Sequence, residues 1–328
     1  MLAVGPNGAG KTNLLEAVHL ATQGFSPRTR ADAELVRFGA AGARVAVSGR
    51  RQGSGFEVEL TIKPGEGKRA RLNGAALRTA EQLRSELPAL VFTPDRLVVV
   101  KGSPAARRAY FDRALARLLP GRASLPVEYA AAVGQRNAAL RRVAARLSTV
   151  EALAPWTGQV AELGAALVAA RNEALALLMP AFAVKAAALG LPGGDLAYAG
   201  RVPTVESLEA RLQRDIERGS TGLGPHLDDV GIRAGGRDLR SFGSQGEQRL
   251  AVLSLVLAEA ECLAGRQGGA PLLLLDDVLS ELDRTRREAL VELLPTDGQT
   301  LMTSTAADAL AVEPGQLLVV SPGRVRVG

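Results

Sequence analysis

Several residue types are scarce in this sequence, and each scarcity excludes a class of protein. The single cysteine, Cys262, excludes an internal disulfide framework and favours a reducing compartment. Aromatic residues make up only 3% of the 328 positions, so the stacking surfaces of single-strand nucleic-acid binders are not indicated. There is no signal peptide and no uninterrupted apolar run of roughly 18 residues, the length that a membrane span requires. We therefore expect a cytoplasmic protein without a membrane partner.

The overall charge points to an anionic partner. The net charge is +6 and the isoelectric point is near 10.0, a balance that favours polyanions without naming one. Only five of the 40 basic residues are lysine. The excess of arginine and alanine fits genome composition as well as it fits function.

The pattern of strands and helices predicts an α/β fold with an insertion. Residues 43–76 alternate between apolar and polar positions, as antiparallel strands do, and ALVF at 89–92 reads as a buried strand. From about residue 104 the chain is Ala-rich and amphipathic, and we expect Pro180 to kink or end the third of these helices. One more helix is predicted over 204–219.

Strands and helices alternate again near the C-terminus, which implies a parallel sheet. We predict an α/β domain, with a mixed sheet flanked by helices, that an α-helical lobe interrupts. Its parts are an N-terminal α/β part (1–103), the helical lobe (104–220) and a C-terminal α/β part (221–328).

The stretch GPNGAGKT at residues 5–12 matches the phosphate-binding loop G-x-x-x-x-G-K-[ST] at every specified position. Its glycines let successive N–H groups turn toward phosphate oxygens, Lys11 reaches the β- and γ-phosphates, and the Thr12 hydroxyl ligates Mg²⁺. A chance glycine-rich turn is disfavoured because a helix pattern follows directly. The residues assigned to ATP binding are Gly5, Pro6, Asn7, Gly8, Ala9, Gly10, Lys11, Thr12 and Asn13.

LLLLDD at 272–277 reads as the matching Walker B strand. Asp276 is placed to hold Mg²⁺, and Asp277 to orient or deprotonate the attacking water. Many related ATPases have Glu at this second position, so the shorter side chain predicts slow hydrolysis. The alternative for Asp277 is a helix cap or a solvated turn.

A third motif, SQGEQ, precedes a long helix and lies between the two Walker motifs in sequence. Ser244 and Glu247 form an ordinary helix capping box, S-x-x-E. The same residues stand in the order of an ABC-type signature, which would bind the γ-phosphate of ATP held by a second subunit. Both interpretations stay open, as they do for Asp283, which is either a D-loop residue at a dimer interface or a helix cap. The signature residues are Ser244, Gln245, Gly246 and Gln248.

Taken together, the motifs resemble those of the RecF family, ABC-type ATPases related to SMC proteins. GPNGAGKTNLLEAV, the segment from Lys101 to Asp112, GPHLDDV, SQGEQR and LLLLDDVLSELD carry the resemblance over nearly the whole chain. It implies an ATP-induced homodimer that binds double-stranded or gapped DNA and, with a RecR-like partner, helps to load a RecA-like recombinase. It also implies that the α/β parts form a P-loop ABC-type ATPase domain, with Walker A in the N-terminal part and the signature, Walker B and D-loop in the C-terminal part, and that hydrolysis is slow and Mg²⁺-dependent. The arginines proposed for DNA are Arg28, Arg30, Arg107 and Arg108, with Arg107–Arg108 alternatively bracing the lobe junction through Asp112.

The sequence departs from the family pattern at several places. Leu227 stands where Arg is usual, and no histidine follows the strand TLMTST, which leaves Thr303 or Ser304 to contact the γ-phosphate. His226 in GPHLDD is read as part of a structural turn, not as a metal ligand. The family has about two more strands before the loop. We therefore expect a missing N-terminal segment, with unpaired ladder hydrogen bonds beside the four-residue strand MLAV.

Two other functions are compatible with an ATP-binding fold. One is the ATPase subunit of an ABC transporter, which the helical insertion, the missing histidine and the basic charge disfavour. The other is a structural dimerisation module that binds ATP without appreciable turnover.

Overall fold

The computed structural model describes residues 1–29, 31–51, 53–267, 269–310 and 312–328. It divides into two compact units, one of residues 1–96 with 263–328 and one of residues 97–262. The predicted lobe boundaries at 103/104 and 220/221 therefore differ from the borders of the compact units. The strands are β1 (Leu2–Val4), β2 (Ala43–Arg51), β3 (Ser54–Lys63), β4 (Gly67–Leu72), β5 (Ala75–Ala76), β6 (Ala89–Phe92), β7 (Asp195–Ala199), β8 (Asp229–Ala234), β9 (Arg237–Asp238), β10 (Leu272–Leu275), β11 (Thr300–Ser304), β12 (Leu317–Ser321) and β13 (Arg324–Val327).

The helices alternate with these strands in the first unit and dominate the second. They are α1 (Lys11–Gln23), α2 (Ala80–Glu86), α3 (Val98–Lys101), α4 (Pro104–Leu118), α5 (Leu125–Ala144), α6 (Ala154–Ala188), α7 (Val205–Glu209), α8 (Leu212–Arg218), α9 (Leu239–Phe242), α10 (Gln245–Gln267) and α11 (Arg284–Leu293).

The first unit is built on a six-stranded mixed sheet in the order β13-β12-β1-β11-β10-β6. All neighbours in this sheet are parallel except β12 and β13. The apolar run of β10 is buried, as expected for a strand covered on both faces. A second sheet, β2-β3-β4-β5, is antiparallel, as the alternating pattern of 43–76 predicts.

The strand that carries the phosphate loop is fully paired. Leu2–Val4 pair in parallel with Met302–Ser304 on one side and with Leu317–Val319 on the other. The expectation that this short strand lacks ladder neighbours is therefore wrong. Strands that follow it by some 300 positions supply both ladders.

The second unit combines helices α3–α9, most of α10 and a small antiparallel sheet, β7-β8-β9. Helix α6 continues through Pro180 to Ala188, so the prediction that Pro180 ends the helix is wrong, and a kink at Pro180 stays a prediction. A proline inside a helix costs about 3 kcal/mol, and the buried Ala181, Phe182 and Ala186 beyond it outweigh this cost by packing in the core. The predicted helix 204–219 is two helices, α7 and α8, separated at Ala210–Arg211.

Helix α6 together with the helical turn before it (Val150–Ala188) is long and apolar enough to cross a membrane, by length and composition only. Half of the tested window is buried inside the protein. Core helices of soluble proteins pass the same test, so this result is weak evidence for a span.

A buried ion pair joins α5 to α8. Arg136 and Asp215 are 0% and 1% exposed, and the Arg136 Nη1 donates to Asp215 Oδ2 at 2.8 Å and to Thr221 Oγ1 at 2.9 Å. Asp215 Oδ1 also accepts from the Gly222 N–H at 3.1 Å. Each buried charge is thus neutralised, and loss of either partner would leave the other without compensation.

We expect Asp215→Asn to lower the free energy of unfolding by about 3–5 kcal/mol, because it leaves the Arg136 guanidinium buried beside a neutral amide. Urea unfolding followed by the fluorescence of the single tryptophan, Trp156, reports on this unit. The matched control is Glu173→Gln, which breaks the exposed pair of Glu173 with Arg122 and should cost no more than about 1 kcal/mol. Equal losses in the two variants would contradict the prediction.

Candidate functional site

The loop Gly5–Gly10 connects β1 to α1, and its glycines have separate structural causes. Gly8 and Gly10 have φ angles of 80° and 102°, which favour residues without a Cβ. A Cβ on Gly5 would lie 2.3 Å from the Val320 carbonyl oxygen of neighbouring β12. Gly10 precedes α1 without a side-chain cap. The N–H groups of the first turn are therefore available to an anion, as in phosphate-binding loops.

Lys11 folds back over this loop. Its Nζ donates to the carbonyl oxygens of Gly5 at 2.7 Å and Pro6 at 3.0 Å, and the residue is only 9% exposed. The ammonium group therefore lies beside the anion-binding N–H groups, where the family motif places the lysine that contacts the β- and γ-phosphates.

The Walker B aspartate meets the loop helix across the sheet. Asp276 follows β10, and its Oδ1 accepts from the Thr12 hydroxyl at 3.1 Å and from the Thr303 hydroxyl at 2.7 Å. Thr12 lies in the first turn of α1, and Thr303 lies in β11, the strand between β1 and β10. Three segments that are distant in sequence thus converge on one carboxylate oxygen.

Thr303 also fixes the residue after Asp276. Its Oγ1 accepts from the Asp277 N–H at 2.9 Å while its own proton goes to Asp276. Asp277 has a φ of 49°, in the left-handed region that non-glycine residues rarely adopt, and its carbonyl accepts from the Ser280 hydroxyl. The sequence left Thr303 or Ser304 to contact a γ-phosphate, and for Ser304 this stays a prediction. The fully buried threonine instead joins the two aspartates.

The donor set at this position fits Mg²⁺. A carboxylate and a hydroxyl share one hydrogen bond here, and Mg²⁺ in NTPases takes one or two protein oxygens and completes its shell with water and phosphate. Among the described residues no cluster of three His, Cys, Asp or Glu side chains forms a protein-only metal cage. Thr12 and Asp276 would therefore hold the ion together with the phosphates.

Arg28 lies near the loop helix and is already engaged with it. Its Nη1 is 3.3 Å from Glu16 Oε2 and 3.4 Å from Asn13 Oδ1. Glu16 is buried and also accepts from the Ser26 hydroxyl. Arg28 therefore contacts the start of α1, and its side chain is 46% exposed. Arg30, the other arginine proposed here for DNA, lies outside the described residues.

The signature segment begins α10 with a complete capping box. The Ser244 N–H donates to Glu247 Oε2 at 2.7 Å, and the Glu247 N–H donates to Ser244 Oγ at 3.2 Å. The hydrogen bonds from Ser244 hold the pKa of Glu247 below its usual range. The capping interpretation is thus realised in the structure, and Ser244, Gln245 and Gly246 are exposed. A role in binding a nucleotide of a second subunit stays a prediction for these three residues.

Gln248 is placed differently from its exposed neighbours. The side chain is 1% exposed, and its Nε2 donates to the carbonyl oxygens of Leu239 at 2.8 Å and Gly243 at 3.1 Å. This burial contradicts the prediction that Gln248 contacts a second subunit. The amide instead fixes the turn between α9 and α10, from which Ser244 projects.

Asp283 caps its own helix, the second of its two interpretations. Its Oδ1 accepts from the Arg286 N–H at 2.9 Å at the start of α11. The other carboxylate oxygen lies 3.3 Å from Arg286 Nη1. The side chain is exposed, and its role as a D-loop residue stays a prediction.

Arg107 is a core residue of the second unit, which corrects its assignment to DNA. It is 3% exposed, pairs with both carboxylate oxygens of Asp229 at 2.7 and 2.6 Å, and donates to the carbonyls of Val100 and Gly102. Burial raises the pKa of Asp229, but the hydrogen bonds and charge of Arg107 outweigh that effect and the net shift is downward. Four of the five guanidinium N–H donors of Arg107 are thus used inside the fold, and its burial keeps it from a phosphate.

Arg108 is partly buried and donates to the carbonyl of Asp228, so it too braces the GPHLDD segment. The alternative interpretation, in which Arg107 and Arg108 brace the lobe junction through Asp112, is wrong in its partner, because both arginines bind residues inside the second unit. Their partners are Asp228 and Asp229. Asp112, the partner suggested by the sequence, instead pairs with Arg171 at 2.8 and 2.9 Å.

His226 is a hydrogen-bonded part of the same segment and not a metal ligand. Its Nε2 lies 2.9 Å from the Thr221 carbonyl and its Nδ1 lies 2.8 Å from the Tyr129 hydroxyl. A carbonyl only accepts, so Nε2 carries the proton and Nδ1 accepts from Tyr129. Burial lowers the pKa of His226, and the nearby charge of Arg108 lowers it further. The ring is therefore neutral near pH 7.

Comparison with known proteins matches this geometry to one family. Residues 1–321 match the family described as the RecF/RecN/SMC N terminal domain. The DNA replication and repair protein RecF of Myxococcus xanthus is 39% identical, over 93% of this chain and 84% of its own length. The chain belongs to the RecF family. The predicted resemblance is thereby confirmed, and the relatives' name places the chain among DNA replication and repair proteins.

Solved structures agree with the fold prediction. A solved structure of the recombination mediator protein RecF-ATP in the RecFOR pathway is similar to this chain, with a TM-score of 0.86 and 28% sequence identity. The match covers 100% of this chain and 91% of that one. An SMC head bound to the C-winged helix domain of ScpA superposes with a TM-score of 0.58 at 18% identity, a likeness of fold only. The α/β ATPase fold with a helical insertion is confirmed.

For the RecF-family site we predict that Thr303→Val lowers the turnover number for ATP by about tenfold to a hundredfold. The substitution keeps the shape but removes a hydroxyl bonded to a carboxylate, a contribution of about 1.5–3 kcal/mol. Steady-state kinetics should show a much smaller change in KM. Thr303→Ser restores the hydroxyl and should restore turnover. Equal rates for the Val and Ser variants would remove the positioning role.

The neutral His226 predicts a pH dependence of stability. Unfolded histidine titrates near pH 6.5, whereas the folded pKa is lower, so the unfolded state binds the proton first as the pH falls. The free energy of unfolding of this unit should therefore decrease from about pH 7 toward pH 5, until the folded pKa is reached. Urea titrations followed by Trp156 should show a shallower decrease in His226→Gln. An unchanged slope would contradict the assignment.

Proposed function

We propose that this RecF-family chain is an ATP-dependent DNA-binding recombination mediator. In this proposal ATP and Mg²⁺ bring two copies together, the dimer binds double-stranded or gapped DNA in the cytoplasm, and a RecR-like partner helps it load a RecA-like recombinase. The convergence of Thr12, Asp276 and Thr303 beside the phosphate loop carries the proposal. Family membership supports the functional class.

The chemistry of the site supports slow hydrolysis. Lys11 and the loop N–H groups would hold the phosphates, and Thr12 and Asp276 would hold Mg²⁺, which when bound neutralises the charge that develops on them. Asp277 would orient the attacking water. Its backbone is fixed by Thr303, and its side chain is one methylene shorter than Glu. A shorter side chain held on a fixed backbone reaches less far toward the water, which favours a low turnover number.

The second copy completes the site in this proposal. Ser244, Gln245 and Gly246 are exposed at the N-terminus of the long helix α10, where the partial positive charge of the helix favours an anion. Gln248 keeps the preceding turn in place. ATP bound to one copy would meet these N–H groups of the other.

Of the two alternatives, the ABC transporter subunit loses support, because the family match extends through the helical insertion to residue 321. A dimerisation module would bind ATP in the same way, but Asp277 would activate no water and ATP would not be turned over. Measurement of Mg²⁺-dependent ATP hydrolysis by wild type and Asp277→Asn separates these two functions.

We expect ATP with Mg²⁺ to convert the wild-type protein from monomer to dimer in sedimentation velocity experiments. Lys11→Ala should abolish both ATP binding and dimerisation, since it removes the phosphate-contacting ammonium. Asp277→Asn should accumulate the ATP-bound dimer. Ser244→Arg should bind ATP as a monomer, because a bulky cation then occupies the surface offered to the second copy.

The combination of variants distinguishes the possible failures. Dimerisation of Ser244→Arg at the wild-type ATP concentration would rule out the signature contact. Identical behaviour of Lys11→Ala and Asp277→Asn would contradict their separate roles. A wild-type protein that stays monomeric with ATP and Mg²⁺ would overturn the dimer itself.

A further inference from the structure

Five arginines of the second unit are exposed on two helices that contact each other. Helix α5 ends with Arg141 and Arg142, Arg146 follows it, and α8 carries Arg214 and Arg218. Arg141 lies directly against the end of α8, with its Nη1 3.4 Å from the Gly219 carbonyl. We call this set the α5–α8 surface.

None of these five side chains forms an ion pair with a carboxylate in the part of the chain that the structure describes. The pattern elsewhere is different, since exposed arginines such as Arg44, Arg122 and Arg284 each have a Glu within 2.9 Å. The two acidic residues of α8 are both engaged, Asp215 with the buried Arg136 and Glu217 with Gln213. Because Gln213 is neutral, Glu217 keeps its negative charge and offsets one of the five arginines, so the surface retains an excess of positive charge.

Like charges on one surface repel each other. Arg214 and Arg218 are spaced i,i+4, so they are neighbours on one helix face, and like charges at this spacing destabilise a helix by a few tenths of a kcal/mol. The last turn of α5 gains something from Arg141 and Arg142, because cations are favourable at a helix C-terminus. The same effect favours Arg218 in the last turn of α8, but it does not explain Arg214. A polyanion on this surface would offset the repulsion of all five.

The surface is held rigidly, which favours a binding role. The buried pair of Arg136 and Asp215 ties α8 to α5 within one helical turn of Arg214 and Arg218 and about one and a half turns before Arg141 and Arg142. Asn137 Oδ1 accepts from both the Thr221 N–H at 2.7 Å and the Thr221 hydroxyl at 2.8 Å. The cost of ordering the two helices is therefore met within the fold and not on binding.

We propose that the α5–α8 surface binds the phosphate backbone of duplex DNA. This inference rests on the proposed DNA-binding function and names its contact surface, in place of Arg107 and Arg108, which the fold uses internally. Duplex DNA carries one negative charge per roughly 1.7 Å of helix axis, so several arginines on one surface find phosphates without base recognition. The binding is therefore independent of sequence and sensitive to salt.

The test compares the variant Arg142→Ser/Arg214→Ser/Arg218→Ser with wild type in binding a duplex of mixed sequence, with ATP and Mg²⁺ present. We expect the affinity near 50 mM salt to fall at least about tenfold, and the slope of log K against log salt to become shallower by about two to three. Replacement of the same three residues by Lys should keep both values near wild type, because phosphate contacts require charge.

The matched control removes three arginines outside the α5–α8 surface that are each paired with a glutamate, in the variant Arg44→Ser/Arg69→Ser/Arg122→Ser. It changes the net charge by the same amount. Its slope should equal that of wild type. If the two Ser variants lose affinity equally, the effect is one of net charge and the surface assignment is overturned. If wild type binds no duplex at any salt concentration, the proposed function itself fails, and the surface with it.

Discussion

Parallel pairing of β11 with both β1 and β10 is the constraint on which the candidate site depends. It inserts one strand between the phosphate loop and Asp276, and that strand presents the buried hydroxyl of Thr303. The hydroxyl donates to Asp276 and accepts from the Asp277 N–H, so one side chain fixes the carboxylate of Asp276 and the backbone of Asp277. A hydroxyl can do both because it is at once donor and acceptor. The site is thereby organised before any ligand binds.

Much of what the motifs indicate was predictable, because those motifs are local. Gly8 and Gly10 need positive φ wherever the loop occurs, the apolar run before Asp276 is buried wherever it is covered on both faces, and Ser244 with Glu247 caps a helix through neighbouring atoms. Each feature depends on residues within a few positions. The fold class and the order of strands and helices follow from the same local patterns.

The roles that could not be predicted depend on partners distant in sequence. Arg107 reads like a surface cation, but Asp229, 122 positions later, makes it a core residue. Gln248 stands within an exposed motif, but its side chain is buried because its amide donates to two upstream carbonyl oxygens. Helix α6 passes through Pro180 because of its packing in the core, which the sequence of the helix does not contain. In each case the tertiary contact outweighs the local preference.

The net charge of +6 conceals how the charges are distributed. Buried arginines are matched by carboxylates, as with Arg136 and Asp215, because an unpaired interior charge is costly. Acidic residues committed to such interior pairs are not available to neutralise the surface. Each interior pair is neutral, so the excess positive charge lies outside such pairs, and on α8 Asp215 points inward to Arg136 while Arg214 and Arg218 stay exposed. Pairing inside the helical unit and an anion-binding exterior are in this sense consequences of one arrangement of charge.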